Sequence, residues 1–186
     1  MIINNTMQEK ELQEIISKYF SKYFEIYKEV WSTDMKKRID LVMVHKSDLN
    51  NEYPFGIEIK KDVIKQGKDL AKWLKQASQY SELEFSTFGK LIVLVAPQIT
   101  MKYLREGYDI SNHEKPDGMP HHNNVNTFIA QFGIGEIMKL NRFNFIKKKL
   151  EENYCFVLNS LILYEFHSDV LNIDAIKRLQ SWNKKK

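Results

Sequence analysis

Two acidic residues lie in stretches that are otherwise apolar and β-branched. Asp40 interrupts the run 38–44, and Glu58 stands between two isoleucines in the run 55–60. A carboxylate in a half-buried strand costs free energy unless a neighbouring group compensates it. Lys60 follows Glu58 by two positions, so these two side chains point to the same face of their strand. The pattern therefore predicts a cluster of charged groups on the surface of a sheet.

The loop between the two runs predicts how they pair. If 38–44 and 54–60 form an antiparallel hairpin whose loop is centred near residue 49, position 40 lies opposite position 58. Asp40, Glu58 and Lys60 then converge on one patch. Two neighbouring carboxylates repel each other unless a cation lies between them, and oxygen ligands favour Mg²⁺ or Mn²⁺. Such an ion polarises a phosphoryl group and lowers the pKa of a bound water, which the Lys60 ammonium could orient. The pattern thus predicts a phosphodiesterase centre.

This spacing resembles the core motif of the PD-(D/E)XK nuclease superfamily. Asp40 is followed, after seventeen residues, by Glu58-Ile59-Lys60, with Ile39 where the motif name has Pro. The resemblance implies an α/β fold with a restriction-endonuclease-like core, in which helices flank a central mixed β-sheet. It also implies Mg²⁺-dependent hydrolysis of DNA with water as nucleophile. Asp40, Glu58 and the Ile59 carbonyl would be metal ligands, and Lys60 would position the water.

Two further features extend the resemblance. Gln76 and Tyr80 stand four apart on one side of a predicted helix. They resemble the Gln-x-x-x-Tyr motif of the RecB and lambda-exonuclease-like branch, which lines the active site. Glu9 begins a Glu-Lys-Glu-Leu stretch similar to the start of archaeal Holliday-junction resolvases, and the helical wheel turns it, rather than Glu14, toward the apolar face. Each of these residues has a competing interpretation. Gln76 could be a surface amide, Tyr80 an aromatic residue at the rim of the core, and Glu9 an acid that stabilises the first turn of its helix.

The elements that position these residues follow from hydrophobic periodicity. The order helix–strand–strand–strand–helix–strand predicts an α/β class with a mixed sheet, since a hairpin stands next to a crossover helix. Residues 107–126 read as a long loop, and 154–166 fits a strand or a helix equally well. We expect one domain over 1–186, with a core at about 8–100 and a C-terminal elaboration at about 101–186. The predicted helices cover 7–23, 67–83 and 169–182, with a short one at 124–132, and the predicted strands cover 24–30, 38–44, 55–60, 90–96 and about 133–139.

The basic charge is concentrated in the last quarter of the chain. Residues 1–138 carry 18 basic and 19 acidic side chains, whereas residues 139–186 carry 10 basic and 5 acidic ones. Such an excess attracts polyanions, although a solvated surface explains it equally well. The predicted phosphate contacts are Lys61, Lys147, Lys148 and Lys149.

The amino-acid composition also indicates the cellular compartment in which the protein is expected. Cys155 is the single cysteine, so an internal disulfide is excluded and a reducing, cytoplasmic location is expected. The longest apolar run, 91–96, is far too short for a membrane span. Trp31, Trp73 and Trp182 are candidate base-stacking residues, with the core as the better interpretation of Trp73.

The predicted activity is that of a Mg²⁺-dependent deoxyribonuclease, an endonuclease or an exonuclease, for which RNA is a further substrate class. Two alternatives stay open: a non-catalytic nucleic-acid-binding or protein-interaction module on the same fold, and a subunit of a larger restriction or repair complex. The nuclease itself could act as a homodimer or within a larger nuclease complex. The His113, His121 and His122 segment fits no strong zinc pattern and reads as a polar loop.

Overall fold

The fold was analysed in a computed structural model of the 186-residue chain. The structure describes residues 8–48, 50, 52–60, 67–96, 133–144, 149–158, 161–165 and 169–183. The predicted loop at 107–126, with its three histidines, and the predicted helix at 124–132 lie outside these residues.

Three α-helices, one short 3₁₀-helix (Ser86–Phe88) and ten strands form the described structure. The helices are α1 (Glu9–Phe20), α2 (Gly67–Glu82) and α3 (Ile173–Asn183). The strands of the N-terminal part are β1 (Phe24–Trp31), β2 (Arg38–His45), β3 (Phe55–Ile59), β4 (Glu84–Phe85), β5 (Gly89–Lys90) and β6 (Ile92–Ala96). The remaining strands are β7 (Gly135–Asn144), β8 (Lys149–Leu158), β9 (Leu161–Glu165) and β10 (Val170–Leu171).

Eight of the strands form one mixed sheet in the order β1-β2-β3-β6-β7-β8-β9-β10. The β3–β6 and β6–β7 pairs are parallel, and the other neighbours are antiparallel. Parallel neighbours need a crossover connection, and α2 lies in the segment that joins β3 to β6. The α/β class and the mixed sheet are therefore confirmed.

The hairpin of β2 and β3 has the predicted register. Leu41 pairs with Ile57, and Met43 pairs with Phe55. One step beyond the Leu41–Ile57 pair, the same register sets position 40 against position 58. The symmetric loop, rather than the apolar pattern, predicted this register, because β3 is buried on both faces and a slip by one residue would still bury its side chains.

The sheet has a hydrophobic cluster on each face. Along β2, Leu41 and Met43 belong to the cluster that includes the apolar side of α1, whereas Val42 belongs to the cluster that includes α2. This alternation is the two-residue period of a strand buried on both faces. The two helices therefore flank the sheet on either side of the β2–β3 hairpin.

The structure corrects several predicted boundaries. The predicted strand 90–96 is divided, because Gly89 adopts a left-handed φ of 65° and Lys90 pairs with Glu84 in a separate two-stranded sheet. The ambiguous segment 154–166 contains parts of two strands, β8 and β9. Val170 belongs to β10, so the last helix begins later than predicted. Asn172 accepts a hydrogen bond from the Ala175 N–H (3.1 Å) and caps that helix.

Candidate active site

The β2–β3 hairpin brings Asp40 and Glu58 together. The Ile59 backbone N–H donates a hydrogen bond to Asp40 Oδ2 (2.6 Å), which holds the Asp40 carboxylate against the end of β3. Glu58 lies next to Ile59 in the chain and is only 1% exposed. The charge of Asp40 raises the pKa of Glu58, so the two carboxylates are electrostatically coupled.

Lys60 completes this arrangement from the residue after β3. Its backbone N–H donates to the Ala96 carbonyl (3.1 Å), which extends the pairing of β3 with β6. Its ammonium lies 2.9 Å from Glu58 Oε1. The three side chains that the sequence predicted to converge thus lie in one cluster, which we call the β2–β3 site (Asp40, Glu58 and Lys60).

Burial and the repulsion between the two carboxylates both disfavour the charged forms of Asp40 and Glu58. Burial, then the neighbouring Asp40 charge, raises the pKa of Glu58 to about 7, against the opposing effect of Lys60. Burial likewise raises the pKa of Asp40, despite the hydrogen bond from Ile59. Burial alone would lower the pKa of Lys60, but the carboxylates, led by Glu58, outweigh it and raise that pKa. A further cation near the carboxylates would favour their charged forms.

Glu9 adds negative charge from the start of α1. Its carboxylate raises the pKa of both Asp40 and Glu58. Glu14, on another side of α1, instead forms an exposed ion pair with Lys28 (2.6 Å). Glu9 is itself exposed, so it contributes charge to the site from the surface and is not part of its buried centre.

Gln76 and Tyr80 form a hydrogen-bonded pair on α2. Gln76 Nε2 donates to Tyr80 Oη (2.8 Å), and Tyr80 is only 3% exposed. Burial raises the pKa of the Tyr80 hydroxyl, and the charges of Glu58 and Asp40 raise it further. Tyr80 is therefore not a rim aromatic, because it is buried and within electrostatic reach of the β2–β3 site.

Two polar residues near Asp40 were missed by the sequence reasoning. Gln13 is buried on α1, and its Nε2 donates both to the Asp40 carbonyl (2.8 Å) and to Glu29 Oε1 (3.0 Å). Glu29 has a left-handed φ of 54° and forms an ion pair with Arg38 Nε (2.7 Å). The signal for Gln13 was its position between Leu12 and Ile16 in the apolar stripe. No pattern signals the backbone conformation of Glu29.

The donor atoms of the site suit a hard cation. Mg²⁺ is usually held by one or two carboxylates, with water and substrate phosphate completing its coordination. Asp40 and Glu58 supply two carboxylates, and repulsion between them explains part of the raised pKa of Glu58. Across the part of the chain that the structure describes, no group of three or more His, Cys, Asp or Glu side chains is arranged to hold a metal ion. Further ligands would therefore have to be a backbone carbonyl, such as that of Ile59, water or substrate.

The predicted phosphate-binding lysines fall almost entirely outside the described residues. Lys61, Lys147 and Lys148 lie there. Lys149 is the first residue of β8, where its backbone pairs with Asn144.

Comparisons of the chain with protein-family models, with curated proteins and with solved structures find no match. Among the described helices, none combines the length and apolar character needed to cross a membrane.

Proposed function

We propose that this protein is a Mg²⁺-dependent deoxyribonuclease that hydrolyses phosphodiester bonds with water as the nucleophile. The observation that carries the proposal is the convergence of Asp40, Glu58 and Lys60 at the end of adjacent strands, with Glu58 buried and its pKa raised to about 7. A buried acid beside a second acid is costly for the fold alone, so a cationic ligand gives this arrangement a physical reason.

The order of elements supports the same proposal. An N-terminal helix, a three-stranded antiparallel meander, a crossover helix and a parallel strand surround the β2–β3 site. We take this part of the chain, from α1 to β6, as a restriction-endonuclease-like core. The PD-(D/E)XK assignment belongs to the proposal and depends on the residues of the site.

Each residue of the site has a proposed role. Asp40, Glu58 and the Ile59 carbonyl would hold Mg²⁺, for which Mn²⁺ could substitute. When bound, such an ion polarises the phosphoryl group and lowers the pKa of a coordinated water. Lys60 orients the attacking water through its ammonium group. Gln76 and Tyr80 are positioning residues that border the site, and Glu9 adds negative charge to it.

Substitution of Asp40 tests the assignment. The Asp40→Asn side chain keeps an oxygen that can accept the Ile59 N–H, but it loses the charge that a metal requires. Purified wild-type protein should cleave linear, circular or branched DNA in Mg²⁺ or Mn²⁺, and the variant should lose at least about a hundredfold in rate. Glu14→Gln, which breaks only the exposed pair with Lys28, is the matched control and should cleave normally. Mg²⁺-dependent cleavage retained by Asp40→Asn would falsify the assignment.

A non-catalytic binding module is the second candidate. It is favoured by the direct ion pair of Lys60 with Glu58 (2.9 Å), because that contact partly neutralises the buried acid without any metal. Calorimetric titration with Mg²⁺ separates the two candidates. The nuclease should show a binding site that Glu58→Gln abolishes, whereas a binding module should show no such site in either protein. A protein that binds Mg²⁺ but cuts no DNA would instead indicate a subunit of a larger nuclease complex.

The cytoplasm is the proposed compartment. Cys155 is the single cysteine and is buried, and a chain that cannot form an internal disulfide is typical of a reducing environment.

A further inference from the structure

An exposed tryptophan lies at the far end of the β1–β2 hairpin. Trp31 pairs across the hairpin with Arg38, and 42% of its surface is exposed. The Arg38 guanidinium carbon lies over the ring, 5.6 Å from its centroid. An exposed indole ring beside a guanidinium places a flat apolar face and a positive charge on one surface, a combination that suits a stacked base and its phosphate. Neither the packing of the sheet nor the β2–β3 site uses this ring.

A second contact holds the Arg38 side chain in its position over the Trp31 ring. The Arg38 Nε lies 2.7 Å from Glu29 Oε2, and Glu29 in turn accepts a hydrogen bond from Gln13. Gln13 also donates to the Asp40 carbonyl (2.8 Å), which links this network to the β2–β3 site. Arg38 and Asp40 are two residues apart on β2.

The turn that follows Trp31 is held by its own hydrogen bonds. Ser32 Oγ donates to Asp34 Oδ1 (2.6 Å), and the Lys36 N–H donates to the same oxygen (3.1 Å). The Lys37 N–H donates to Ser32 Oγ (3.0 Å). Lys36 Nζ lies 3.6 Å from Asp34 Oδ2 and keeps 79% of its side chain exposed, and Lys37 is also exposed. The turn therefore has an ordered backbone that presents two exposed lysines beside the Trp31–Arg38 pair.

From this geometry we infer that Trp31, with Arg38, Lys36 and Lys37, binds an unpaired nucleotide of the DNA substrate. We call these four residues the hairpin platform. The inference rests on the proposed nuclease function and specifies its substrate class as DNA with a single-stranded segment. The tryptophan stacks on the face of a base, and the lysines contact the flanking phosphates.

The requirement for an unpaired base follows from the chemistry of the ring. Inside a duplex, both faces of each base are covered by neighbouring bases, so a protein ring can stack only on an unpaired base or on a terminal pair. Lysines alone would bind duplex and single strand through phosphates without distinguishing them by their bases. A platform that combines a tryptophan with basic groups thus favours single-stranded ends, flaps or gaps.

Binding measured without cleavage tests the inference separately from the nuclease proposal. The probe is a fluorescein-labelled oligothymidine, compared with a blunt duplex of equal length, titrated by anisotropy in EDTA. Wild-type protein should bind the oligothymidine more tightly. Trp31→Ala should weaken that binding about tenfold or more and leave duplex binding nearly unchanged. Trp31→Phe should restore part of the loss, because phenylalanine also stacks.

Tyr27→Ala is the matched control, because Tyr27 is a similarly exposed aromatic residue on the same strand. It should bind the oligothymidine like the wild type, and circular dichroism confirms that each variant is folded. Three results would overturn the inference: no binding of the oligothymidine, equal weakening of both probes by Trp31→Ala, or the same loss in Tyr27→Ala. Binding of the oligothymidine without any metal-dependent cleavage would keep the platform and overturn only the nuclease proposal.

Discussion

The protonation of Glu58 links the chemistry of the site to the stability of the fold. Its carboxyl is buried beside Asp40, and its pKa is raised from 4.5 to about 7. Between these two values the folded state binds more protons than the unfolded state does. The free energy of unfolding must therefore fall as the pH rises through this range.

The first prediction follows from this fall in the free energy of unfolding with rising pH. One pKa unit corresponds to about 1.4 kcal/mol. Because of the Glu58 carboxyl, the free energy of unfolding of the metal-free protein should therefore fall by roughly 2 to 3 kcal/mol between pH 5 and pH 8. Glu58→Gln cannot titrate and should lose less stability over the same interval. Urea unfolding of both proteins in EDTA at the two pH values measures the difference. Equal pH dependence in the two proteins would show that Glu58 does not titrate in this range.

The second prediction concerns competition between protons and metal. A metal ligand must be deprotonated, so a proton on Glu58 opposes cation binding below pH 7. If the β2–β3 site binds Mn²⁺, its affinity should increase about fivefold from pH 6 to pH 7, about twofold more to pH 8, and little above pH 8. Calorimetric titration across this range measures it, with Glu58→Gln as the control that should bind weakly at every pH. An affinity that does not change with pH would place the ion elsewhere.

At the scale of the elements, close contacts between neighbouring strands determine where glycine is required. A Cβ atom on Gly135 of β7 would lie 2.5 Å from the Val157 carbonyl oxygen of β8. A Cβ atom on Gly56 of β3 would meet the side-chain ends of Ile39 and Leu91 at 2.6 and 2.8 Å. A side-chain end can rotate away, whereas a backbone carbonyl in a sheet cannot move without disturbing its pairing.

The third prediction compares these two glycines. Gly56→Ala should lower the free energy of unfolding by about 1 to 3 kcal/mol, as expected for moderate overpacking. Gly135→Ala should cost more, because the contact is with backbone. Urea unfolding of the two variants, side by side with the wild type, tests the order. A Gly135→Ala protein as stable as Gly56→Ala would mean that β7 and β8 can move apart at little cost.

On the scale of the whole molecule, one aromatic cluster joins the N-terminal and C-terminal parts of the chain. Phe156 of β8 contacts the rings of Phe20, Phe24 and Phe55 at centroid distances of 5.3, 5.6 and 5.0 Å. These partners belong to α1, β1 and β3, which carry or support the β2–β3 site. The packing of Phe156 should therefore make the two parts of the sheet unfold in one transition.

The fourth prediction tests that coupling. Phe156→Ala should lower the free energy of unfolding by about 3 to 5 kcal/mol, because it leaves a cavity among buried rings. Ile162→Ala, at a residue that is 40% exposed on the neighbouring β9, should change it by less than about 1 kcal/mol. Thermal unfolding followed by near- and far-ultraviolet circular dichroism should show one coincident transition in the wild type. Two separate transitions would mean that the C-terminal strands fold independently.

Local patterns in the sequence were sufficient for the elements nearest the site. Alternation identified β1, β2 and β3, and the symmetric loop predicted the β2–β3 register. These features succeed because a hairpin is defined by residues close together in the chain. The convergence of Asp40, Glu58 and Lys60 could therefore be predicted before any coordinates were known.

Contacts between residues that are far apart in the chain determined the other features of the fold and of the site. The His45 ring lies 2.9 Å from the Asp169 carboxylate although 124 residues separate them, and Tyr164 donates a hydrogen bond to that carboxylate. Likewise, the raised pKa of Glu58 and the contacts of Gln13 with Asp40 and Glu29 arise only when separate elements meet. Composition and spacing identify which residues can carry charge, but desolvation and side-chain contact depend on neighbours from the whole fold. That is why the sequence alone determined the members of the site, while the tertiary structure determined their electrostatics and the platform beside them.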